Sequence, residues 1–307
     1  MEKQDLLTIA LVTYNEEKNI QACIKSFCGI ADRVLVLDNC STDQTAELAR
    51  QLGADVIEST LLVRDRIKWA LSDSNITTKW VLFIDADERM TKESAKEFKR
   101  LCEQYADDKE VNGIVVKYRM NFLGKNLYHG GFSPLKKLRA FKPGTAYYET
   151  MDVDEHYILK SGKMVYMKNE FLHFDFKGLK LWIDKHSIYA ERAAIDYTKK
   201  ILQDETVTYR GLEKSAQIKR LLKYKIYYRL PSGFRAWCFY FYCYYLRLGF
   251  LDGREGKIFA FLHSYWYRFL VDSFIYENKI MGDDKKFNDP QIVSCSVIDE
   301  QQSSLPK

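Results

Sequence analysis

Three carboxylates stand together in Asp85-Ala86-Asp87-Glu88, directly after the unbroken apolar run Trp80-Val81-Leu82-Phe83-Ile84. Hard oxygen ligands at that spacing suit Mg²⁺ or Mn²⁺, with the remaining positions open to water and a substrate's phosphates. The same residues also read as a solvated acidic turn ahead of a helix, the commoner use of an isolated Asp-x-Asp. A second carboxylate, Asp38, ends the run Arg33-Val34-Leu35-Val36-Leu37 and precedes Ser41, Thr42 and Asp43. There it can accept a hydrogen bond from a nucleobase N–H or a ribose hydroxyl, while the following helix N-terminus favours phosphate. A third acidic group, Glu149, Asp152, Asp154 and Glu155, lies beside His156. Paired carboxylates can raise one another's pKa and supply a general base, although a surface acidic loop has the same composition. His173 reads either as a third metal ligand or as a structural hydrogen-bonding group.

These groups lie far apart in sequence and need a scaffold that gathers them. Leu6 to Thr13, Arg33 to Leu37, Asp55 to Ile57 and the run from Trp80 read as strands. Glu17 to Phe27, a helix capped by Ser41 with Gln44 and stopped at Gly53, Val63 to Leu71, and Met90 to Tyr105 read as helices. The alternation predicts a doubly wound parallel sheet with right-handed crossovers. The acids then end strands at the carboxyl edge, where such folds bind ligands. Beyond Tyr105 the alternation loosens. Gly113 to Tyr118 and Leu135 to Phe141 read as strands, Phe122 to Lys125 as a turn, and Leu179 to Leu202 as a long helix. The expected architecture is α/β: a Rossmann-like, mainly parallel sheet with flanking helices over 1–175, a helical aromatic-rich region over 176–280, and a polar tail over 281–307.

Composition fits a folded globular chain of 307 residues, 47% hydrophobic and 29% charged, with a net charge of +5. Seven cysteines without a zinc-like spacing predict reduced thiols and a cytosolic setting. The charged N-terminus predicts no secretory signal, and no apolar run approaches a spanning helix. From Lys214 to Arg235 there are seven basic residues and no acid, with Tyr224, Tyr227 and Tyr228 interleaved, followed by the aromatic run Trp237 to Tyr245. That combination suits the headgroup level of an anionic membrane surface and predicts a peripheral position on the inner face of the cytoplasmic membrane. Packing of the aromatics against the catalytic domain or in a homo-oligomer is the competing reading. Nucleic acid is disfavoured by the mild charge and the lack of a recognition motif.

Taken together, Val12-Thr13-Tyr14-Asn15-Glu16-Glu17, Asp38-Asn39-Cys40-Ser41-Thr42-Asp43 and Asp85-Ala86-Asp87-Glu88 resemble the family 2 glycosyltransferases. The resemblance is nearest the bacterial branch that includes the lipopolysaccharide inner-core β-glucosyltransferases. Arg66 to Leu71, His173 with Lys185, Tyr189 and Ala190, and Leu248-Gly249-Phe250-Leu251-Asp252-Gly253 with Gly256 resemble further segments of that branch. The resemblance implies a GT-A fold, a nucleotide-sugar donor such as a uridine diphosphate sugar, Mn²⁺ or Mg²⁺, and inversion at the anomeric carbon. It implies transfer to a saccharide or lipid-linked glycan acceptor in cell-surface glycan synthesis. Donor contacts are then expected from Thr13, Tyr14, Asn15, Glu16, Asp38, Arg66, Asp85 and Ala86, and metal ligation from Asp87, Asp85 and His173. Glu155 is the expected base, with Asp154 and Asp152 as alternatives, because many members carry His-Glu where this chain has Asp154-Glu155.

Other readings of the acids fit less well. A haloacid-dehalogenase phosphatase would need Thr or Val where Arg89 stands. A nucleotidyltransferase would want a glycine-rich loop where Tyr14-Asn15-Glu16 follows the first strand. An inactive membrane assembly partner on the same fold remains the non-enzyme alternative.

Overall fold

The computed structural model describes residues 5–72, 76–149, 156–174, 178–202 and 209–281. In the first half, β1 (Leu7–Thr13), β2 (Arg33–Asp38), β3 (Asp55–Glu58) and β4 (Trp80–Asp85) pair in parallel in the order β3-β2-β1-β4. Helices α1 (Ile20–Ser26), α2 (Thr45–Gln51) and α3 (Val63–Ser72) connect them. The strands read as continuous apolar runs because both faces are covered. Leu7, Ile9, Leu11, Leu82 and Ile84 pack with Ile20 and Ile24 of α1, whereas Ala10, Val81 and Phe83 pack on the opposite face with Ile67 and Ala70 of α3. The two-residue period of the strand makes that division.

Two helix starts differ from expectation. The first begins at Ile20 rather than Glu17, and the second at Thr45, with Gln44 at its N-cap and no side-chain cap bond. The Ser41 hydroxyl is engaged elsewhere, accepting from the Asn15 amide at 2.9 Å and donating to Asp38 at 2.7 Å. Gly53 does end the second helix, with φ +80°.

Beyond β4 the sheet becomes mixed. The short β5 (Glu88–Arg89) leads to α4 (Lys92–Gln104), which is capped reciprocally by Thr91 and Ser94. Then come β6 (Val111–Phe122), β7 (Lys125–Asn126), β8 (Leu135–Phe141), the small hairpin of β9 (Ala146–Tyr148) and β10 (Tyr157–Leu159), and β11 (Lys163–Phe174). Strand β8 inserts antiparallel between β4 and β6, and β11 runs parallel to β6. The sequence gives no clean sign of β11, because Lys168, Asn169 and Glu170 interrupt its pattern. The structure resolves this with a register shift between Tyr166 and Glu170. The buried Glu97 of α4 accepts the Lys168 and Asn169 amides there, both at 2.7 Å.

The C-terminal region is helical: α5 (Leu179–Tyr197), continued by a π turn over Thr198–Leu202, then α6 (Lys214–Lys225), α7 (Phe234–Phe241), α8 (Gly253–Phe259) and α9 (Tyr267–Met281). It shares a core with the sheet, in which Phe122, Leu127 and Phe132 meet Trp182, Cys243, Phe259 and Ala260. Ala190 and Ala193 of α5 let Tyr267 and Val271 of α9 approach closely. Among the described residues the cysteines are unbridged, and no helix is long and apolar enough to cross a membrane. The polar tail beyond Met281 lies outside the described residues.

Glu97 should matter out of proportion to its place on an outer helix. Glu97→Ala leaves the amides of the β11 bulge without their acceptors and should cost about 2–3 kcal/mol, read as a lower urea midpoint. Glu97→Gln should lose less.

Candidate functional site

Parallel register puts the candidate residues on one edge. Thr13 pairs with Asp38 across β1 and β2, and Val12 pairs with Asp85 across β1 and β4. Strand order reverses between β2 and β4 on either side of β1. The crevice above β1 is therefore the switch point where open α/β sheets take ligands.

On one side of that crevice two loops clasp each other. Asn15, at φ +52°, accepts the Thr42 amide at 2.9 Å through its side chain. The Glu16 amide donates to Thr45 Oγ1 at 2.7 Å. The Asp38 carboxylate is buried and accepts from Thr13 Oγ1 at 2.6 Å and from the Ser41 amide and hydroxyl at 2.7 Å. Asp38 thus ties the two loops at their roots. The Arg66 guanidinium lies beneath them and donates to the carbonyls of Leu37 at 3.0 Å and Thr13 at 3.4 Å. Tyr14 is exposed at the rim, and Ala86 is buried in the core, so any donor contact from Ala86 is through its backbone.

On the other side, the turn after β4 brings the acids into different settings. The Arg139 guanidinium, on β8, donates to Asp85 at 2.7 Å and to Glu88 at 3.3 Å. Glu88 is buried and accepts the Asp85 amide at 3.0 Å. Burial pushes the Glu88 carboxyl up to about 7 against the pull of Arg139. At Asp85 the surrounding protein also opposes the charge, but Arg139 and then Lys137 override it and hold the carboxyl down at about 2. From sequence, Arg139 has no assigned role and Glu88 reads only as one of the three clustered acids. The available signal was Lys137 and Arg139 at alternate positions of a strand that also carries Lys136, which places the two on one face.

Asp87 points elsewhere. Strand β5 pairs antiparallel with the end of β11, placing His173 opposite Glu88, and the Phe174 amide donates to the Asp87 carbonyl at 2.8 Å. His173 Nε2 then lies 3.3 Å from Asp87 Oδ2. Burial favours a neutral His173 ring, and the Asp87 carboxylate outweighs it, raising the pKa. One carboxylate oxygen and one imidazole nitrogen are a donor set that suits Mn²⁺ or Mg²⁺ with most positions open. Among the described residues no group of three or more such side chains is placed to hold a metal ion. Of the three residues expected from sequence to ligate a metal, Asp87 and His173 come together and Asp85 is turned to Arg139.

The acidic cluster also divides. Asp152, Asp154 and Glu155, the candidate bases, lie outside the described residues. The segment leaves and returns at one point, since the Glu149 amide donates to the His156 carbonyl at 3.0 Å. Glu149 is buried in a two-bond fork with Arg220, both bonds 2.8 Å, which locks this hairpin to α6. It is a structural member of the group.

Replacing Arg139 with Met should leave Asp85 and the buried Glu88 facing each other without the cation that bonds both. Because Asp85 is half-exposed, the expected cost is about 1–3 kcal/mol in chemical unfolding. Arg139→Lys should recover only part of it, because one ammonium cannot span both carboxylates as a guanidinium does.

Comparison with known proteins follows the same lines. Residues 8–153 match the model of the family described as glycosyl transferase family 2. An uncharacterized glycosyltransferase of Rickettsia typhi is 29% identical over 203 residues, 62% of this chain and 67% of that protein. The SPbeta prophage-derived glycosyltransferase SunS of Bacillus subtilis is 29% identical over 124 residues, 38% of this chain and 29% of that one. Among solved structures, a mannosyltransferase of Pyrobaculum calidifontis, in complex with GDP-Man and Mn²⁺, is similar with a TM-score of 0.48 and 15% identity, covering 91% of this chain and 88% of that one. Glucosyl-3-phosphoglycerate synthase of Mycobacterium tuberculosis, with Mn²⁺, uridine diphosphate and glucosyl-3-phosphoglycerate, gives 0.43 and 17%, covering 63% and 79%. The N-terminal half of the chain is thus similar to family 2 glycosyltransferase domains.

Proposed function

We propose that this protein transfers a sugar, with inversion, from a nucleoside diphosphate donor to a hydroxyl of a saccharide or lipid-linked saccharide in bacterial cell-surface glycan synthesis. The observation that carries this reading is the convergence of Thr13, Asp38 and the Asp85–Asp87 turn on the switch-point crevice, with the Asp87–His173 pair at its side. A uridine diphosphate hexose is the favoured donor, on the resemblance to the inner-core β-glucosyltransferase branch.

The residues divide the work. The clasped loops present Tyr14, Asn15 and Glu16 at the rim where the nucleoside would lie, and Asp38 keeps that rim in place, its second oxygen retaining acceptor capacity for a donor N–H or hydroxyl. Arg139 and Glu88 fix the turn so that Asp87 faces His173. Asp87 and His173 would hold a divalent cation, which when bound stabilises the charge on the departing diphosphate. The acceptor hydroxyl is a weak nucleophile and must lose its proton to a carboxylate as it attacks, a role we assign to Glu155, with Asp154 or Asp152 as alternatives. Single displacement needs no covalent intermediate on the protein.

Donor hydrolysis across a panel of nucleotide sugars with Mn²⁺ tests this reading. One donor should be turned over, and Asp87→Ala should lower the rate by roughly 10²-fold or more. His173→Ala should weaken Mn²⁺ binding, measured directly by titration. Failure of every donor to bind in the presence of Mn²⁺ would instead support an assembly partner that has lost the chemistry.

A further inference from the structure

The helices between Lys214 and Tyr276 carry an ordered apolar surface that the transfer reaction does not use. On one side of α7 and the π turn that extends it, Phe234, Trp237, Phe241 and Tyr245 follow one another at helical spacing. Their rings form a ladder, with centroids 6.2, 5.6 and 5.0 Å apart in sequence. All four are exposed, between 39% and 54%. Tyr244 and Tyr240 continue the ring contacts to Phe261 and Tyr265, and Tyr265 stacks on the exposed Phe269. Next in chain order before this plate, α6 turns Arg220 and Tyr224 inward and leaves Ile218, Leu221 and Leu222 outside.

Charge on the same helices is one-sided in a way that sequence alone does not show. The span 214–276 contains three acids, two of them buried and the third paired at the surface, and the exposed Glu277 follows. Asp272 is buried against Arg235 at 2.7 Å, and Asp252 is buried against the Tyr128 and His129 amides at 3.0 and 2.8 Å. Glu255 is half-exposed and pairs with Lys125 at 3.3 Å. Lys214, Lys219, Lys225, Arg229, Arg247, Arg254 and Lys257 remain exposed. An exposed apolar plate rich in Trp and Tyr, on helices whose exposed charges are mostly basic, with Glu277 at the end of α9 the exposed acid, complements the headgroup and upper acyl region of an anionic bilayer.

We propose that this face, centred on the Phe234-Trp237-Phe241-Tyr245 ladder, seats the protein on an anionic membrane surface. The aromatic rings enter the interface and the basic residues meet the lipid phosphates, with no helix crossing. The inference stands on the surface alone and is independent of the donor chemistry.

Flotation of the full chain with vesicles of phosphatidylcholine, alone or mixed with phosphatidylglycerol, tests it. The protein should rise with the mixed vesicles at low salt, stay largely below with the neutral ones, and be progressively released by added salt. Trp237→Glu with Phe241→Glu should cut binding to the mixed vesicles by roughly tenfold or more. Lys219→Gln with Arg229→Gln should cut it by about fivefold per charge removed. Both double variants should keep the native unfolding transition and any vesicle-free donor hydrolysis, so loss of vesicle binding is not loss of fold or chemistry. Equal binding to both vesicle types, or indifference to both double variants, would overturn the proposal. So would a chain that ignores vesicles and forms a dimer that the Trp237, Phe241 variant dissociates, which would give the face to a second copy.

Discussion

A buried guanidinium between two carboxylates is the interaction on which the candidate site rests. Arg139 enters from β8, a strand that runs against its neighbour β4, and meets Asp85 and Glu88 at the carboxyl end of β4. The Arg139 side chain is only 11% exposed, and a charge so withdrawn from water is costly unless it is paired. The pairing fixes the turn, and the turn sets the direction of Asp87 and the start of β5. Strand β5 in turn catches the end of β11 and brings in His173, 86 residues later in the chain. One ion pair thus orders three segments from different parts of the sequence.

The opposite wall is held by neutral and acidic hydrogen bonds instead. Asp38, Thr13 and Ser41 form a closed group, and Asn15, Asp43 and Thr45 extend it along two facing loops. These loops carry no apolar side chains capable of packing against each other, so side chain-to-backbone bonds replace a core there. Rigidity at such a rim lowers the entropy that binding a ligand there would cost.

The C-terminal helices are joined to this scaffold rather than appended to it. Phe122, Leu127 and Phe132 reach out of the sheet into their aromatic core, and Asp252 holds the loop at Tyr128 and His129. The glycines near Asp252 have a steric reason: a Cβ on Gly256 would lie 2.4 Å from the Asp252 Cβ, and one on Gly249 2.9 Å from the Cys243 carbonyl. That turn is a close-packed buckle between the helices and the loop that follows β7. Packing inward with the sheet leaves the other side of α7 bare, and the same segment therefore serves both as core and as exposed aromatic surface.

Local pattern by itself determined the first four strands, the helices between them and the edge on which their acids stand, because each buried run is short, apolar and punctuated by polar turns. It also carried the resemblance to family 2 glycosyltransferases, through residue types that are ordered along the chain and need no contacts to be seen. What tertiary structure decided were the pairings that span long separations. The partner of Asp85 is Arg139 and the partner of Asp87 is His173, since antiparallel insertion of β8 and the β5–β11 pairing depend on sheet order, which periodicity does not encode. Glu149 left the acidic cluster for Arg220 of α6, and Ser41 left its expected helix cap for Asp38, in each case because a buried charge takes the best available donor. Strand β11 was hidden because Glu97, on another element, satisfies the bulge that breaks its alternation. The helical third was visible as basic and aromatic; only its fold showed which rings stay outside and that Asp252 and Asp272 are spent within.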